Sequence, residues 1–93
     1  MPENRNPSHP GEILKELYME PLQLSVTKLA AHLGCTRVAL SEIVNCRRGI
    51  SPAMACRLAD VFKTSPELWM NLQISYDLAE AKRKHKKRTA IAC

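Results

Sequence analysis

Residues 25–45 read SVTKLAAHLGCTRVALSEIVN, and this stretch predicts two short helices hinged at Gly34. Ser25 suits an N-cap, where its side-chain oxygen accepts from a backbone N–H left free at the helix start. Leu29, Ala30 and Leu33 follow at helical spacing as an apolar face, with Ala30 small enough for two helices to cross closely. Gly34 takes a positive φ at the turn without steric cost. Thr36 caps the next helix, and Leu40, Ile43 and Val44 return an apolar stripe. The pattern is a helix-turn-helix, whose second helix lies in the major groove of DNA. Thr36, Arg37, Val38, Ser41 and Glu42 fall on or near its outer face.

The rest of the chain reads as three further helices around this pair. Pro10 fits the first position of a helix, with Ile13, Leu14, Leu17 and Tyr18 as its apolar face and Pro21 as its end. After Asn45 comes the loop CRRGIS, with Gly49 as the turn residue. Ser51-Pro52 and Ser65-Pro66 repeat one device, a serine cap followed by proline at the first helical position. The fourth helix buries Met54, Leu58, Val61 and Phe62, and the fifth Leu68, Trp69, Leu72, Tyr76 and Ala79. Alternating strand patterns are absent from the sequence. The expected fold is all-α, a five-helix domain of about ten to fourteen residues per helix at most. Residues 1–8 read as a flexible lead-in, 9–81 as the DNA-binding and dimerisation domain, and 82–93 as a basic, disordered tail.

Length and charge narrow the function. Ninety-three residues make one small domain with little room for a buried catalytic cavity. The net charge of +5 is unevenly spread. Residues 1–20 set Arg5 and Lys15 against Glu3, Glu12, Glu16 and Glu20, net −2. Residues 21–59 set Lys28, Arg37, Arg47, Arg48 and Arg57 against Glu42, net +4. Residues 60–81 are net −3, and the tail adds six basic residues with no acid. A polyanion is thus drawn to the central island and held off its flanks.

Other chemistry finds little support. Cys35, Cys46, Cys56 and Cys93 form no C-x-x-C pair and match no common zinc spacing, so they read as reduced, ordinary side chains. No metal and no cofactor is expected. Nothing resembles a catalytic Ser/His/Asp or Cys/His set, a Gly-rich phosphate loop or a buried carboxylate pair, so the chain is not expected to be an enzyme. No apolar run is long enough to span a membrane, and the polar N-terminus is unlike a signal peptide, which points to the cytoplasm.

Contacts to DNA divide into base readers and phosphate anchors. Arg37 fits guanine O6 and N7, or a phosphate alone. Glu42 fits cytosine N4, or an ion pair with Arg37 or Arg47. Val38 fits a thymine methyl, or the core. Thr36 and Ser41 complete the base-reading set. Thr27, Lys28, Asn45, Arg47 and Arg48 form the phosphate-contacting set. Trp69, Leu72 and Tyr76 are candidates for a homodimer contact, and Trp69 suits the protomer core equally well.

HPGEIL at 9–14, the helix pair at 25–45, RRGIS-x-x-MACRLA at 47–59 and TSPELWMNLQISYDL at 64–78 together resemble the HigA family of antitoxins, a branch of the Xre/Cro helix-turn-helix group. The likeness runs from His9 to about Ala81. It implies a lambda-repressor-like five-helix domain that dimerises on a palindromic operator in double-stranded DNA. It also implies a HigB-like protein partner, an mRNA-cleaving toxin that the antitoxin neutralises while repressing their shared operon. One position departs from the wider group. Val26 stands where many relatives have a phosphate-contacting Gln, which shifts anchoring toward Thr27, Lys28 and Asn45. Two other functions fit the same residues: a stand-alone Xre-type regulator without a toxin, and a protein- or RNA-interaction module. The lack of interleaved aromatics disfavours single-stranded RNA.

Overall fold

A computed structural model describes residues 7–85, and within them the chain folds into five helices. Helix α1 starts in α geometry at Pro10–Ile13, widens to π geometry over Leu14–Met19 and returns to α over Glu20–Leu22, without a break. It is followed by α2 (Val26–Leu33), α3 (Arg37–Val44), α4 (Pro52–Phe62) and α5 (Pro66–His85). No helix among the described residues is long and apolar enough to cross a membrane.

Every helix starts on a side-chain cap. Ser25 Oγ accepts from the Lys28 N–H at 3.1 Å, Thr36 Oγ1 from Ala39 at 3.0 Å, Ser51 Oγ from Met54 at 3.2 Å and Ser65 Oγ from Leu68 at 3.1 Å. The sequence announces these four. The fifth is His9, whose Nδ1 accepts from the Gly11 N–H at 2.9 Å. Four helix ends close through a left-handed residue: Gln23, Gly34, Cys46 and Lys63. At all four the N–H of the following residue closes the turn on a carbonyl five residues back: Leu24 on Met19, Cys35 on Ala30, Arg47 on Glu42 and Thr64 on Ala59.

Four expectations change here. Pro21 does not end α1, which continues to Leu22 and stops at Gln23. The π stretch before it carries hydrogen bonds one residue longer than usual, so the turn that would clash with the proline ring is already opened. The same widening leaves Leu17 out of the core. Gly49 is not the left-handed residue of the CRRGIS loop; Cys46 is. Gly49 instead lies under Gln73, where an added Cβ would sit 3.1 Å from the Gln73 amide. Finally, α5 is 20 residues long and enters the segment read as tail. Lys and Arg are good helix formers, and the basic run Lys82–His85 falls in the last turn, where the helix dipole favours cations. Arg83 also pairs with Glu80 one turn back. Residues 1–6 of the lead-in and 86–93 of the tail lie outside the described residues.

The core is built by Leu14, Leu29, Leu33, Leu40, Ile43, Leu58 and Trp69, all buried. Tyr18, Phe62 and Trp69 cluster with ring centroids 4.8 to 6.5 Å apart, and Trp69 Nε1 donates to Thr64 Oγ1 at 2.8 Å. Burying Trp69 therefore leaves no polar atom unsatisfied.

Two buried polar side chains tie α5 to α1 and to the loop after α3. Gln73 Oε1 accepts from the Ile50 N–H at 2.7 Å while its Nε2 donates to Asp77 Oδ1 at 2.9 Å. This bond pins the loop after α3 to α5. Gln73→Leu keeps the volume but leaves a buried N–H without a partner. The expected cost is about 1–3 kcal/mol of stability, read as a lower urea midpoint.

His9 is the second. Its ring meets Tyr76 edge-on at 4.8 Å, and it caps α1 through an unprotonated Nδ1. Burial lowers its pKa from the ordinary 6.5, against the opposing pull of Asp77 and Glu12. The folded state thus prefers the neutral ring. The stabilisation is complete above the unfolded value and declines as pH falls below 6.5 toward the lower folded value. Urea midpoints measured at pH 7.5 and pH 5 should fall for the native chain. His9→Asn, a cap that does not titrate, should remove this part of the slope.

Candidate nucleic-acid interface

Helices α2 and α3 meet at Gly34, whose φ of 72° sets the angle between them. The Arg57 guanidinium, from α4, donates to the Gly34 carbonyl at 3.2 Å. This brace spans 23 residues of sequence, so no local pattern announces it. Leu40 and Ile43 fix α3 to the core from one side, which turns its other side outward.

That outward side carries the residues the sequence points to. Thr36, Arg37 and Val38 are exposed at the first turn, Ser41 and Glu42 are half-buried in the second, and Asn45 is exposed at the end. Val38 is 64% exposed, so its side chain is not spent on the core. Arg37 has no carboxylate within ion-pair distance among the described residues. Asn45 Nδ2 donates to Ser41 Oγ at 3.2 Å, which holds two polar side chains in a row along the helix.

Glu42 is paired, though not with either partner expected from the sequence. Its carboxylate meets Arg48 at 2.8 Å. The left-handed turn at Cys46 folds the chain back over the helix end, with the Arg47 N–H on the Glu42 carbonyl at 2.8 Å. That turn carries Arg48 beside Glu42. Arg47 stays exposed. Thr27 and Lys28 are exposed in the first turn of α2. The two sets therefore lie on the start of α2, along α3 and on the loop that follows.

The three residues considered for dimerisation separate. Trp69 is wholly buried in the protomer, so its direct contacts are with its own core. Leu72 is half-buried against that core and Tyr76 rests on His9. The exposed large apolar residues of α5 are Leu68, Ile74 at 50% and Leu78 at 52%. Ile74 and Leu78 are one turn apart, a spacing visible in the sequence once the buried side of α5 is known.

An open cleft of about 430 Å³ lies between the α3–α4 loop and α5, lined in part by His9, Arg48, Gln73, Tyr76 and Asp77. Two arginines, Arg47 and Arg48, and the single carboxylate of Asp77 line it, and no metal-binding cluster occurs among the described residues. Cys35, Cys46 and Cys56 are free, and Cys93 lies outside the described residues.

Known proteins share this arrangement. The model of the helix-turn-helix domain matches residues 12–69. Virulence-associated protein A of Dichelobacter nodosus is 46% identical over 80 residues, covering 85% of this chain and 78% of that protein. Antitoxin HigA-1 of Vibrio cholerae is 32% identical over 82 residues, covering 87% of this chain and 76% of that protein. The solved structure of Pseudomonas aeruginosa antitoxin HigA with the higBA promoter superposes with a TM-score of 0.86 at 37% identity, over 94% of this chain and 99% of that one. With the helix pair, the HPGE start of α1 and the SPELWMNLQ start of α5 each in structural use, the chain belongs to the HigA branch of the Xre/Cro-type helix-turn-helix family.

Proposed function

We propose that this chain is the antitoxin of a type II toxin–antitoxin pair, which represses its own operon by binding DNA and neutralises a HigB-like mRNA-cleaving toxin. The observation that carries the DNA part is the outward face of α3, where Arg37 has no carboxylate partner among the described residues, in a fold whose relative was solved with promoter DNA. Thr36, Arg37, Val38, Ser41 and Glu42 would read base edges, with Arg37 suited to guanine. Thr27, Lys28, Asn45, Arg47 and Arg48 would hold phosphates on either side. A palindromic operator requires a two-fold pair of protomers. Ile74 and Leu78 on α5 offer the exposed apolar surface such a pair would bury, and Leu72 and Tyr76 are half-buried on the same helix.

The test is co-expression of the chain with the product of the adjoining reading frame. Retention of that product on the tagged chain, in a complex containing two copies of the chain, is the expected result. A chain that binds its upstream DNA but never retains that product is a stand-alone regulator, and the antitoxin reading falls.

A further inference from the structure

Helix α1 carries apolar side chains that stay exposed among the described residues. Leu17 is 63% exposed and Leu22 60%, and Pro21 beside Leu22 is exposed too. By helical spacing Leu17 belongs with Leu14 in the core. The π stretch over Leu14–Met19 keeps Leu14 and Met19 buried and puts Leu17 outside. Departures of this kind within a helix are frequent at functional sites.

The surroundings say what kind of partner fits. Glu12, Glu16 and Glu20 are all exposed on α1, each four residues after the last, against the single cation Lys15. Nucleic acid is repelled from such a surface. A second copy of this chain is disfavoured as well, because two-fold pairing through α1 sets the same carboxylates against each other. What complements apolar side chains among carboxylates is a cationic protein surface with an apolar contact at its centre.

We propose that the α1 surface formed by Leu17, Pro21 and Leu22, with Glu12, Glu16 and Glu20 around it, docks the cationic RNA-binding surface of the toxin. This rests on the antitoxin reading above. An enzyme that cleaves RNA has to hold a polyphosphate chain and therefore presents cations at its substrate groove. Carboxylates on α1 take the place of the phosphates, the leucines add apolar contact, and the bound antitoxin denies RNA its site. The residues assigned to DNA lie on α2, α3 and the loop after them, so the toxin and the operator draw on different side chains.

The experiment uses the full chain, the co-expressed product of the adjoining reading frame and the DNA upstream of the pair. Two double variants, Leu17→Ser with Leu22→Ser and Glu16→Gln with Glu20→Gln, are compared with the native chain. Each should weaken toxin binding at least about tenfold, the loss expected from about 1.4 kcal/mol. The glutamine pair should also flatten the salt dependence of toxin binding. Far-ultraviolet circular dichroism, dimer mass and operator affinity should not change. Toxin held at native strength by both variants overturns this surface and leaves the antitoxin reading intact. A variant that becomes monomeric overturns it in favour of contact with a second copy. A native chain that never retains the product overturns both readings together.

Discussion

Replacing Gly11 with Ala should unfold or nearly unfold this protein. The first turn of α1 runs so close to the end of α3 that a Cβ on residue 11 would lie 1.7 Å from the Ile43 carbonyl oxygen and 3.1 Å from the Val44 Cα. Both neighbours are backbone, so no side chain can swing aside. The two helices would have to separate, and α1 would leave the His9 cap and the Pro10 packing that seat it. Inserting atoms into a well-packed core costs about 1–3 kcal/mol, and more where nothing can yield. The expected loss is about 3 kcal/mol or more, a large share of the roughly 5–15 kcal/mol that holds a small domain. Gly34 supplies the contrast. An added Cβ there meets nothing within 4 Å, so Gly34→Ala suffers only from its left-handed φ, about 1 kcal/mol. Thermal melts of both variants should rank Gly11→Ala far below Gly34→Ala. Equal melting points would mean that α1 and α3 are not in this contact.

The second large effect is on DNA. Arg37→Ala combined with Ser41→Ala should leave the melting temperature within a few degrees and abolish sequence preference. Arg37 is exposed and unpaired among the described residues, and the Ser41 hydroxyl has its one side-chain hydrogen bond there with Asn45. Their removal therefore opens no cavity. A bidentate arginine–guanine contact contributes about 1–3 kcal/mol of discrimination. A dimer uses it twice, so operator affinity should fall about 100-fold or more while affinity for unrelated duplex falls much less. An arginine that touched only phosphate would give a different result: a similar loss on every sequence and a shallower salt dependence. Competition between operator and unrelated duplex at two salt concentrations separates the cases.

The parts of the fold that were legible in the sequence are those set by neighbours along the chain. Ser25, Thr36, Ser51 and Ser65 cap the helices they precede because capping depends on residues three apart. Leu29, Leu33, Leu40 and Leu58 are buried because a 3.6-residue period decides which way a helix faces. The features that escaped depend on elements distant in sequence. His9 is a cap only because Tyr76 and α5 bury it in its neutral form. Gln73 is buried only because the Ile50 N–H comes to it across 23 residues. Glycine 49 gave a turn signal, but its small size serves the close approach of Gln73, and the left-handed conformation falls to Cys46. Leu17 kept its helical period in the sequence and lost it in the π stretch. At the surface proposed to face DNA, the sequence named the side chains on α3 because they are what the core leaves over. It could not choose Arg48 as the partner of Glu42, since that choice is made by a backbone turn.

Fluorescence anisotropy of the full chain on labelled duplex from immediately upstream of its own reading frame, against a scrambled duplex at the same salt, bears most directly on a DNA-reading α3. The expected result is a preference of at least about 1,000-fold for the upstream duplex, saturating at two protomers per site. Equal affinity for the two duplexes at every salt concentration would contradict it.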